Sequence, residues 1–117
     1  MKENKQKFIR ILSAELEDLI EDIERLMGAY QARSVKGDIT NYVLLENNAL
    51  LQNEIFCLKN FIKFINRIDL SQFETLEELY NFIEEKFKRE MEEHCYAHAI
   101  ADFVERKLKK VLNYIKT

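Results

Sequence analysis

The sequence predicts an all-α fold, an antiparallel bundle of three long helices, on three observations. Proline is absent and glycine occurs only at Gly28 and Gly37, so the tight turns that sheets require are scarcely on offer. Apolar residues recur at alternating intervals of three and four through nearly the whole chain, the period of a helix with one dry face. Charged residues make up 33% of the chain and fill the intervening wet positions. The length of 117 residues suits one domain, able to bury roughly 65% of the surface its unfolded chain exposes.

The first predicted helix covers residues 4–33. Ile9, Leu12, Leu16, Leu19, Ile23, Leu26 and Tyr30 form an a/d seam, which Phe8, Ile20 and Met27 widen. Gly28 sits inside this helix at a cost of about 1 kcal/mol relative to Ala, for which close helix approach is one explanation. Gly37 suits the position just past the helix end, and Asp38 or Thr40 suits the next N-cap. The second helix is predicted over 39–67, with a seam of Leu44, Leu51, Ile55, Leu58, Ile62 and Ile65. Leu50, Cys57, Phe61, Phe64 and Ile68 lie beside that seam, a wide arc suited to two neighbours. Asn47, Asn48 and Glu54 interrupt its edge. Two capping-box patterns, Ser71 with Glu74 and Thr75 with Glu78, then announce a third helix.

That third helix is predicted over 72–116, because neither Gly nor Pro occurs after Gly37. Unbroken, it would be ~60 Å long against ~45 Å for the others. It either kinks near residues 94–97 or overhangs, and the lack of a helix breaker favours the overhang. An overhang would expose Val104, Leu108, Val111, Leu112 and Ile115, flanked by Lys107 and Lys110. An apolar surface of that kind normally finds a partner, and a homodimer is the simplest closed solution. The expected assembly is therefore a dimer, or a complex with another protein, through the third helix.

The formal net charge is -3 and the pI about 5.5, which disfavours nucleic acid as the main partner. Charge is nevertheless segregated. Glu15, Glu17, Asp18, Glu21, Asp22 and Glu24 form an acidic block, and Arg106, Lys107, Lys109, Lys110 and Lys116 make the last segment basic. The acidic block suits the basic end of another chain. A nucleic-acid accessory role through Lys107, Lys109 and Lys110 is weaker, since only Tyr114 supplies an aromatic there. Cys57 and Cys95 both fall in apolar helical patterns, which reads as two reduced core thiols of an intracellular protein. The longest apolar runs, Tyr42 to Leu45 and Ile55 to Leu58, are far short of the ~20 residues of a membrane span. No apolar leader is visible near the start, so the expected location is the cytoplasm and no membrane partner is expected.

His94 and His98 are the only histidines. At i and i+4 on one helix they would share a face and could hold Zn²⁺ or another divalent transition metal, with Glu54 or Glu46 as a third ligand from another helix. The Glu-x-x-His signature of bundle metal sites is absent, as is His-Glu-x-x-His. A more ordinary role is packing, with hydrogen bonds to Glu54, Asn47 or Asn48, and no cofactor is expected. Cys95 adjoins His94 in sequence, but adjacent helical residues diverge by about 100°, so they are no nucleophile–base pair. There is no phosphate-binding glycine loop and no nucleophile elbow. The functional expectation is a protein–protein interaction protein, an adaptor or assembly subunit, with a metal-binding enzyme or sensor as the alternative.

Overall fold

The helix boundaries in the first two thirds of the chain have local chemical causes. A computed structural model describes the backbone of residues 2–94 and 98–117, and the side-chain surroundings of residues 4–93 and 100–117. Helix α1 spans Lys2–Val35. It ends where Gly37 takes a φ of 82°, a conformation open to a residue without a Cβ. There Asp38 N–H donates to Arg33 O at 2.9 Å and Gly37 N–H to Ser34 O at 3.0 Å, the paired bonds of a Schellman stop. Helix α2 spans Asn41–Asn66, and Thr40 is its cap, its hydroxyl accepting from Val43 N–H at 3.2 Å. Asp69 caps a single 3-10 turn, Leu70–Gln72. Of the two capping boxes, only the second forms. Thr75 Oγ1 accepts from Glu78 N–H at 3.1 Å, while the Glu78 carboxylate accepts from Glu74 N–H at 3.0 Å. Helix α3, Leu76–His94, follows.

The expected 72–116 helix is two helices, α3 and α4, the latter spanning His98–Lys116. The two lie side by side. Lys116 Nζ stands 2.8 Å from Glu77 Oε1 and Lys88 Nζ 3.8 Å from Glu105 Oε1. In one continuous helix Glu77 and Lys116 would be ~58 Å apart. The physical reason is burial. Ile100, Val104, Leu108 and Val111 are all buried, and removing four such side chains from water is worth about 6–12 kcal/mol. Interrupting a helix forfeits about four backbone bonds at ~1 kcal/mol each. Burial outweighs the break, although no Gly or Pro marks it.

Successive helices run in opposite directions. Asn66 Nδ2 donates to Ser13 Oγ at 3.0 Å, placing the end of α2 beside the first half of α1. Phe61 meets Phe87 with ring centroids 4.9 Å apart, and Phe64 meets Phe82 at 5.9 Å, joining α2 to α3. Lys7 lies over the Tyr114 ring, and Glu15 meets Lys107 and Lys110, joining α1 to α4. The core between the four helices holds Phe8, Leu12, Leu16, Leu58, Ile65, Leu79, Ile83 and Leu108. Buried Lys5 tethers the α2–α3 connection, its ammonium donating to the carbonyls of Leu70, at 2.8 Å, and Phe73. Cys57 is disulfide-bonded, which corrects the expectation of a reduced thiol. The chain's other cysteine, Cys95, lies outside the described residues. A reducing compartment can no longer be inferred from two free thiols.

Unequal lengths leave an overhang, at the opposite place from the one expected. Helices α1 and α2 have 34 and 26 residues, α3 and α4 only 19 each. With its end beside Lys7, α4 reaches back along α1 only to about residue 24. Antiparallel to α2, α3 ends near Cys57. The last turns of α1 and the first half of α2 therefore project as a two-helix arm, within a molecule measuring 55 × 28 × 20 Å. Among the described residues, no helix is long and apolar enough to cross a membrane.

Candidate docking surface

The arm is built from a helix that carries apolar rows beyond the one it buries. From Asn41 to Cys57 only Glu46 and Glu54 are charged, against ten charged residues among the nineteen of α3. Leu44 and Leu51 face α1 and are buried. Val43 and Leu50 lie on a second row, and Tyr42, Leu45, Ala49 and Phe56 on a third. These outer rows have no cover: Tyr42 is 74%, Leu45 61%, Leu50 58% and Phe56 64% exposed. A helix with more apolar rows than it buries is suited to a further partner. Depletion of charge is part of the compositional mark of an interface core.

The third row leads into a cleft between α2 and α3. The cleft has a volume of about 560 Å³ and is lined by Phe56, Phe61, Phe64, Phe87 and Met91, with Asn53, Asn60 and Glu90 contributing polar groups. Lys86 lies over the Phe64 ring at 5.7 Å and reaches Glu90 Oε1 at 3.3 Å. The aromatic floor exists because α2 and α3 are held apart by phenylalanine pairs rather than by closely meeting backbones. Its size and apolar lining suit an inserted aromatic or aliphatic side chain.

The residues singled out in the sequence are distributed differently. Val104, Leu108 and Val111 are buried, and Leu112 and Ile115 pack against the same core. This corrects the expected exposed apolar surface on the third helix, because α4 spends that stripe on α1. Lys107 Nζ stands 2.6 Å and Lys110 Nζ 3.2 Å from the Glu15 carboxylate. Part of the acidic block and part of the basic end thus meet within one chain. The hydrogen bond from Lys107 holds the Glu15 carboxyl below its ordinary range; burial opposes this and Lys110 reinforces it.

The polar interruptions of α2 remain at the edge of its dry arc. Asn47, Asn48 and Glu54 are half-buried. Asn48 Oδ1 is buried with no hydrogen-bond partner among the described residues. Burial pushes the Glu54 carboxyl above its ordinary range. The side chains of His94 and His98, proposed with Glu54 as metal ligands, lie outside the described residues. Among the described residues no cluster of three or more His, Cys, Asp and Glu could hold a metal ion.

The exposed row of Tyr42, Leu45 and Phe56 was missed as a surface, although its signal is present. The apolar arc of α2 is too wide for one neighbour, and charge nearly vanishes from Asn41 to Cys57. No protein-family model, no curated protein and no solved structure matches this chain.

Proposed function

We propose that this chain is a protein–protein interaction module, an adaptor or assembly subunit, whose working surface is the first half of α2. One observation carries the reading: a charge-poor helical segment, Asn41–Cys57, exposes Tyr42, Leu45, Leu50 and Phe56 while the other helices keep charged wet faces. Exposed apolar surface of this extent is costly to leave in water and normally marks a docking site. The neighbouring cleft, with Phe56 at its rim, suits an anchor side chain from a partner helix, the helix-in-groove mode.

Site-specific photo-crosslinking in the cells that make the protein tests this reading. A photoreactive residue at Leu45 should give a discrete protein adduct, and one at exposed Lys109 on α4 should give far less. Adducts that form equally at both positions, or at neither, would contradict a docking role for α2.

A further inference from the structure

We infer that the arm docks antiparallel, about a two-fold axis, onto the arm of a second copy of this chain. The partner's two helices would fill, above the bundle, the seats that α3 and α4 fill below. The inference rests on the arm being a docking element and names the occupant of its open inner face.

The face can be traced from the covered part of the bundle into the open part. On α1, Glu15, Leu19, Asp22, Leu26, Ala29 and Arg33 follow one another at intervals of four and three, and so share one row. At the lower end of the row Glu15 is met by Lys107 and Lys110 of α4. Above about residue 24, α4 has ended and the row continues uncovered: Leu26 is 43% exposed, and Asp22, Ala29 and Arg33 are exposed. On α2, Val43, Leu50, Cys57 and Phe64 are spaced by sevens. Phe64 meets Phe82 of α3 and Cys57 lines the α2–α3 cleft, whereas Val43 and Leu50 are open. Both open rows therefore continue seats already used inside the chain.

The α1 row is also complementary to its own reverse. Read upward it runs acid, apolar, apolar, base: Asp22, Leu26, Ala29, Arg33. A two-fold axis crossing α1 between residues 27 and 28 places Asp22 of each copy on Arg33 of the other, and Leu26 on Ala29. The closed isologous contact repeats each pair twice. It uses the same chemistry that seats α4, an acid on α1 met by a base. Among the described residues of one chain Asp22 has only an exposed partner one turn away, Arg25 at 2.8 Å, and such pairs contribute little. The neutral Leu50 row brings no like charges together. The overlap is only about twelve residues, ~18 Å, so the dimer belongs at the weak end of specific interfaces.

Sedimentation equilibrium of the full chain at low salt, from micromolar to millimolar, reads this directly. The expected result is a reversible monomer–dimer equilibrium that Leu50→Lys abolishes. Asp22→Arg alone and Arg33→Asp alone should each weaken self-association roughly tenfold or more by placing like charges opposite each other. Mixed one to one, the two variants should pair, because every contact is then opposite in sign. Circular dichroism should be unchanged, since the substituted side chains are exposed. A chain that stays monomeric at millimolar concentration overturns the inference. So does a dimer indifferent to all three substitutions, or a mixture that fails to pair. If the chain is monomeric while Leu45 still crosslinks to another protein, the second copy is excluded and the docking role of α2 stands.

Discussion

Glu15 shows how single residues decide between partners inside and outside the chain. Its carboxylate joins the acidic middle of α1 to Lys107 and Lys110 on α4, so charges that the sequence sets far apart cancel in one molecule. The Glu15–Lys107 pair is largely shielded, with side-chain exposures of 21% and 25%. A double-mutant cycle with Glu15→Gln and Lys107→Met should return a coupling of ~1 kcal/mol in favour of folding. The sign with pH follows from a depressed carboxyl pKa. The contribution is complete above the unfolded carboxylate range and is lost as pH falls through the lower folded value. Urea titrations should therefore find the coupling flat from neutral pH down to the ordinary carboxylate range and falling away as pH drops below it. Lys5 teaches the complementary lesson. No spacing rule marks a lysine near the start of α1 as buried, because its acceptors, the carbonyls of Leu70 and Phe73, are backbone groups of a distant turn.

At the scale of elements, the α3–α4 junction separates what the sequence reveals from what it hides. Helix existence, dry faces and most ends were legible: Gly37 stops α1, Thr40 caps α2 and Thr75 caps α3. Those signals are local and act within one turn. The reversal between α3 and α4 has no local signal, since its cause is the burial of Val104 and Leu108 against α1, nearly ninety residues away. The stripe that looked like an unpaired overhang was the evidence for a fourth helix, read in the wrong direction. Spin labels at exposed Glu78 and Asn113 discriminate the two geometries by pulsed dipolar spectroscopy. A continuous helix would separate these positions by ~52 Å; the paired helices should hold them at less than half that distance.

For the whole molecule the consequence is a change in which end is open. With α4 laid along α1, the basic end is partly neutralised and its apolar stripe is covered. With α3 and α4 both short, the α1–α2 arm is left as the apolar surface in search of a partner. Sequence could suggest that such a surface exists, since too many apolar residues compete for too few neighbours. It could not locate the surface, because that depends on which helices are short. Hydroxyl-radical footprinting of the dilute chain, read residue by residue by mass spectrometry, tests this account most directly. It predicts rapid oxidation of Tyr42, Leu45 and Phe56, with protection of Val104, Leu108 and Val111. The reverse pattern, a protected arm and a reactive final segment, would contradict it.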